Sequence, residues 1–173
     1  MDDIQFRNDI GHASELLIAK KLTLAFAESA TAGRASAEFS LACEAGKFLR
    51  GGFVCYDATL KCEVLHVSKK MLDKYTPESM EVTSAIASGL RALIEADIHI
   101  GITGLPCAGG SETSEKPVGT MFIFALYGGE QLFAERRLFS GTHQQIIKQT
   151  VHEVARLLLE HLPDTNPNHK SIR

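Results

Sequence analysis

Apolar positions along this chain recur at helical spacing, give way to a short continuous apolar run, and then recur again, a cycle repeated over most of its length. From about Asn8 to Lys21, the spacing of Ile10, Ala13, Leu16, Leu17 and Lys20 predicts an amphipathic helix. Leu22 to Ala27 reads as a short buried strand, followed by a helix to about Ala42. Gly51 to Tyr56 predicts a second strand entered through a glycine pair, and Leu60 to Leu65 and Lys69 to Lys74 predict short helical turns. Met80 to Ala96 predicts a long helix whose apolar stripe is Val82, Ile86, Leu90, Leu93 and Ile94. Ile98 to Thr103 is a third strand, Gly104 to Pro117 a loop, and Val118 to Tyr127 with Gln131 to Phe139 a hairpin about Gly128-Gly129-Glu130. His143 to Leu162 closes the pattern as a helix with Ile147, Val151, Val154, Leu158 and Leu162 on one face, stopped by Pro163.

Strands interleaved with long helices predict an α/β fold, a three-layer α/β/α single domain, and the late hairpin makes its sheet mixed. The domain is expected over residues 1–162, and the polar stretch 163–173 as a disordered tail.

Composition narrows the function classes. A length of 173 residues suits one domain with a real core, and a net charge of −3 gives no electrostatic case for nucleic acid or an anionic membrane as main partner. A local cationic pocket for a small phosphate stays open. The acidic start, Met1-Asp2-Asp3, lacks the basic and apolar regions of a signal peptide, and no apolar run has the length of a membrane span. Cys43, Cys55, Cys62 and Cys107 show no C-x-x-C spacing, so reduced thiols and a cytoplasmic location are expected. The seven histidines show no metal-ligand spacing, and neither a metal nor a cofactor is expected.

The candidate chemistry sits at Ala27-Glu28-Ser29-Ala30-Thr31-Ala32-Gly33, where the first strand gives way to a helix. Two hydroxyls there adjoin backbone N–H groups that a helix start leaves unpaired, a setting for an anion or an oxyanion. Thr103 and Gly104 end the third strand in the same way and are expected on the same sheet edge. Tyr56 and Lys61 follow the second strand at a spacing that puts phenol and amine on one side of a turn. A serine beside a lysine is a nucleophile and base when burial keeps the amine neutral. Each residue also has an ordinary reading: Ser29 as a helix cap, Lys61 as a solvated cation, Tyr56 as a core aromatic, Lys116 as a loop charge, Cys107 as a small loop residue.

Several blocks resemble one family in order. Ala27 to Gly33 is similar to the A-E-S-x-T-G-G signature of the CinA C-terminal domain family, and Phe48 to Tyr56 with Lys61 to its F-x-x-G-x-V-x-Y-x-x-x-x-K stretch. Gly101-Ile102-Thr103-Gly104 with Lys116-Pro117-Val118-Gly119-Thr120, and Phe139-Ser140-Gly141, resemble two later blocks. The resemblance runs from about residue 8 to residue 162. It implies an oligomeric α/β/α amidohydrolase that converts nicotinamide mononucleotide (NMN) to nicotinic acid mononucleotide and ammonia, without a metal. The metal-dependent pyrophosphatase domain fused to some members is not expected at this length. By the same resemblance Ser29 is the nucleophile, Lys61 the base and Tyr56 the proton relay. N–H groups around Thr31, Ala32 and Gly33 face an oxyanion or phosphate, Thr103 and Gly104 form the opposite wall, and Lys116 holds the 5′-phosphate.

Three positions and one segment depart from the family pattern. Ala32 replaces a glycine, harmless on a helical or extended backbone and costly at positive φ. Ala58 replaces an asparagine, the glycine-rich segment reads Pro106-Cys107-Ala108-Gly109-Gly110, and His143 stands where the family has arginine. The alternative to an amidase is therefore a homologue that binds a nucleotide as a regulatory module.

Overall fold

The computed structural model describes residues 2–162, so the expected tail at 163–173 lies outside the described residues. The first helix, α1 (Asp3–Lys20), starts earlier than the periodicity predicts because the Asp2 carboxylate accepts the Ile4 N–H and caps it. Phe6 joins Ile10, Ala13, Ser14, Leu16 and Leu17 on its buried face, and Lys20 is left outside that face. Next come β1 (Leu24–Glu28), buried at every position, and α2 (Arg34–Ser40).

Strand β2 (Leu49–Val54) begins before the glycine pair and ends before Tyr56. Its pairing with β1 skips Arg50, matching Leu24 to Leu49 and then Ala25 to Gly51, and the bulge draws Leu49 into the sheet. Asp57 accepts the Thr59 N–H and starts α3 (Ala58–Glu63) ahead of the expected Leu60. Tyr56 therefore lies in the turn between strand and helix. A Cβ at Gly52 would lie 2.2 Å from Ser36 Oγ and 3.3 Å from the Phe26 carbonyl oxygen, so glycine is what lets α2 rest against β1 and β2.

The rest of the chain forms α4 (Lys69–Tyr75), α5 (Met80–Leu93), β3 (Ile98–Gly104), the hairpin β4 (Thr120–Tyr127) and β5 (Glu130–Leu138), and α6 (His143–His161). The sheet order is β2-β1-β3-β4-β5; β1 runs parallel to both its neighbours, and the β3–β4 and β4–β5 pairs are antiparallel. One face carries Phe26, Ile100, Ile123 and Phe133 against α1, α2 and α6. The other face packs Ala25 and Ala27 against Val82, Ile86 and Leu90 of α5 and against Leu65 and Val67. The result is a three-layer α/β/α domain with a mixed sheet, and it puts the ends of β1 and β3 on one edge.

The buried face of α6 keeps the predicted Val151, Val154, Leu158 and Leu162 and adds Ile146 and Thr150, while Ile147 is only half-buried. No helix among the described residues is long and apolar enough to cross a membrane.

Candidate active site

The turn that follows β1 is built on Glu28. This side chain is fully buried, and its carboxylate accepts hydrogen bonds from Thr31 Oγ1 (2.6 Å), the Ala35 N–H (2.9 Å), the Ser36 N–H (2.8 Å) and Ser36 Oγ (2.6 Å). Gly33, at the N-cap of α2, has no side-chain acceptor, so a carboxylate reaching from the strand does the capping. Two of the N–H groups that the start of α2 would otherwise leave unpaired, those of Ala35 and Ser36, are therefore occupied. Thr31 is buried with its hydroxyl turned to Glu28, away from any substrate.

What the turn still offers is backbone. The Ala32 N–H donates to the Ser29 carbonyl and the Arg34 N–H to the Thr31 carbonyl. The N–H groups of Ala30, Thr31 and Gly33 have no protein acceptor among the described residues.

Ala32 has φ 49°, so the methyl group takes the costly branch of the expectation. A left-handed L-residue costs about 1–2 kcal/mol, and glycine returns about 0.4–1 kcal/mol of that through a freer unfolded chain. Ala32→Gly is expected to stabilise the protein by about 0.5–1 kcal/mol in urea unfolding; a destabilisation would show the turn to be unstrained.

Ser29 and Lys61 meet. Lys61 is 1% exposed, and its Nζ lies 3.0 Å from Ser29 Oγ and donates to the Cys55 carbonyl at 2.9 Å. The parallel register explains the meeting: Glu28 pairs with Val54, the Cys55 N–H donates to the Glu28 carbonyl, and α3 returns Lys61 over that junction. Burial lowers the amine pKa, opposed by neighbouring groups that include Cys55, Glu78 and Asp57. Burial also pushes the Cys55 thiol up to about 11, so at neutral pH it carries no charge to hold the proton on Lys61. A neutral Lys61 has a lone pair for the Ser29 proton and an N–H left for the Cys55 carbonyl.

The pair opens on a cavity of about 260 Å³ lined by Ser29, Ala30, Tyr56, Glu78 and the loop from Gly104 to Gly110. Tyr56 is 62% exposed and makes no hydrogen bond to Ser29 or Lys61. The expected phenol–amine contact is not formed, because the turn before α3 sets the ring at the cavity wall. Gly104, Gly109 and Gly110 line the cavity. Gly104 also serves the sheet: at φ 151°, its Cβ would sit 2.5 Å from Met121 Sδ and 2.7 Å from the Thr120 carbonyl oxygen.

Thr103, expected on the opposite wall, is buried. Its hydroxyl lies 2.7 Å from Thr83 Oγ1, which spends its own proton on the Ser79 carbonyl, so Thr103 donates and ties β3 to α5. Lys116 donates to Thr76 Oγ1 (2.7 Å), Ser111 Oγ (2.7 Å) and the Glu78 carbonyl (2.9 Å). Three donors with three protein partners leave none spare for a phosphate in this arrangement.

His143 is the exposed first residue of α6 and is not on the Ser29 cavity wall. A larger cleft of about 700 Å³ lies between the starts of α2 and α6, lined by Thr31, Ala32, Gly33, Arg34, Gln145 and Lys148 among others. Its cations are engaged, Arg34 by Glu38 and Lys148 by Asp3, and it holds no nucleophile with a base. Size therefore does not single it out as a candidate site; the smaller cavity is the one lined by a serine in contact with a buried amine.

Two acidic residues escaped the sequence reading. Glu28 did leave a signal, an acid closing an apolar strand with Thr31 and the start of α2 within reach of its side chain. Glu78 left none, since its partner Ser111 lies 33 residues away.

A model of the CinA C-terminal domain matches residues 9–162 of the chain. A CinA-like protein of Dictyoglomus thermophilum is 35% identical over 76% of this chain and 32% of its own length. The chain spans about a third of the length of the curated relatives it matches. Among solved structures, the competence-damaged protein (CinA) superfamily protein of Escherichia coli superposes with a TM-score of 0.85 at 28% identity, covering 92% of each chain. The competence damage-inducible protein A of Klebsiella pneumoniae gives 0.87 at 25% identity, over 93% of this chain and 99% of its own.

Proposed function

This chain belongs to the CinA C-terminal domain family, and on that premise we propose that its Ser29 cavity hydrolyses a carboxamide, converting NMN to nicotinic acid mononucleotide and ammonia. The observation that carries the reading is the 3.0 Å contact between a buried lysine amine and the Ser29 hydroxyl. A module that only bound a nucleotide would gain nothing from holding an amine out of water against a serine.

In the proposed reaction, neutral Lys61 takes the Ser29 proton as Oγ adds to the carboxamide carbon. The carbonyl oxygen becomes an oxyanion within reach of the N–H of Ala30, which lines the cavity and has no protein acceptor among the described residues. Collapse breaks the C–N bond, and the Lys61 ammonium returns its proton to the departing nitrogen as ammonia leaves. Water then adds to the Ser29 ester with neutral Lys61 as base again, and the carboxylic acid departs as Oγ regains its proton. Tyr56 forms part of the substrate-facing wall, and a phosphate reaching Lys116 would displace one of its three protein partners.

The sign of the pH dependence follows from Lys61. The base works when unprotonated, and burial lowers its pKa, so kcat/KM for ammonia release rises with pH along a limb below the ordinary lysine range. The test is ammonia release from NMN by the purified protein across about pH 6 to 10. Absence of release throughout that range would sink the reading.

A further inference from the structure

The wall of the Ser29 cavity contains one carboxylate. Around it stand neutral groups: Tyr56, the Gly104–Gly110 loop, Ala30 and Ser29 itself. Glu78 precedes α5, with its Oε2 accepting the Ser111 hydroxyl proton and its Oε1 without a hydrogen-bond partner among the described residues. The neighbouring cation does not neutralise it directly. Lys116 donates to the Glu78 backbone carbonyl and reaches the carboxylate only through the Ser111 hydroxyl. Lys61, when neutral as a base must be, carries no countercharge either. The cavity wall therefore carries a half-buried carboxylate that no cation contacts directly, the Lys116 ammonium being linked to it through Ser111.

Resting on the amide-hydrolysis reading, we propose that Glu78 is a specificity-determining residue that makes this cavity select carboxamides borne on a positively charged ring, such as a pyridinium, over neutral ones. A ring cation next to the carboxylate supplies a direct charge partner at Oε1, which has no hydrogen-bond partner among the described residues. It also corrects a cost to the catalytic base. In the empty site the charge of Glu78 favours the protonated form of Lys61, as does that of Asp57, against the burial that favours the neutral form. A bound ring cation pairs with Glu78 and repels a proton on Lys61, so the substrate's own charge helps to free the base. A neutral ring does neither.

The test compares NMN with benzamide C-riboside 5′-phosphate, which keeps the carboxamide, ribose and phosphate but has no ring charge. Ammonia release is measured with wild type, Glu78→Gln and Glu78→Asp, and the ratio of kcat/KM for the two compounds is taken for each enzyme, so that their different intrinsic reactivity cancels between enzymes. Glu78→Gln, which still accepts from Ser111, is expected to lower the preference for the charged ring about tenfold, mainly through KM for NMN. Its acid limb of kcat/KM should move to lower pH, a shift that a packing role would not produce. Glu78→Asp keeps the charge and should keep most of the preference. A wild type active on both compounds whose ratio is unchanged in Glu78→Gln overturns the assignment alone. A wild type that releases ammonia from neither compound overturns the amide-hydrolysis reading and this assignment with it.

Discussion

Lys61→Met is expected to reduce ammonia release from NMN by at least about a thousandfold while leaving the protein folded. The two effects have one cause. Lys61 is 1% exposed and lacks a carboxylate partner at hydrogen-bond distance among the described residues, so the fold carries a desolvated amine whose main contacts are Ser29 and the Cys55 carbonyl. Methionine fills nearly the same volume without that desolvation. It leaves the Cys55 carbonyl unpaired, at about 1–3 kcal/mol, and removal of the buried amine offsets much of this. Chemistry has no such compensation, because among the described residues Ser29 Oγ has no side-chain hydrogen-bond partner other than Lys61. Ser29→Ala should lose a similar factor, and the double variant should be little worse than either single one, as for residues that act as a unit. Ammonia assays with thermal melts check all three variants. Losses that multiply in the double variant would show the two side chains acting separately. Rapid quench and mass spectrometry of the wild type should trap an adduct on Ser29, and steady turnover without one would favour direct attack by water.

Glu28→Gln is expected to destabilise the protein by about 2–4 kcal/mol, more than its near-identical shape suggests. All four groups facing the carboxylate donate, two of them backbone N–H groups with no freedom to reverse. Glutamine supplies one accepting oxygen and brings an NH2 group against donors. The Thr31 and Ser36 hydroxyls can rotate to accept, which keeps the cost below that of a naked buried charge. For a domain of this size the loss corresponds to roughly 5–15 °C in Tm. Activity should fall as well, because Ser29 follows Glu28 directly and its backbone is held by the same turn. Urea unfolding within about 0.5 kcal/mol of wild type would mean that the carboxylate's charge is not what the turn requires.

The layers and element order were legible because they depend on local periodicity, which the helical stripes of α5 and the alternation into β3 express strongly. Boundaries shifted where a single side chain decided them, as Asp2 and Asp57 did by capping. In the site, the nearness of Ser29 to Lys61 was an inference from motif order; the register of β1 with β2 supplies its physical basis. The Thr31 hydroxyl, the Thr103 hydroxyl and the Lys116 ammonium were read as facing substrate, and each is satisfied by protein. Hydroxyl and ammonium groups look alike in sequence whichever way they point, and their partners Thr83, Thr76 and Ser111 are brought near by the fold alone.

The Ser29–Lys61 contact spans only 32 residues, all within the segment from β1 to α3, whereas Glu78 and the Gly104–Gly110 loop come from later in the chain. In the proposed reaction the bond-breaking pair thus comes from one stretch of polypeptide, and most of the cavity wall apart from Ala30 and Tyr56 comes from a later one. In that reaction, substitutions between residues 76 and 116 are therefore expected to change which amide is admitted while the Ser29–Lys61 contact stays in place.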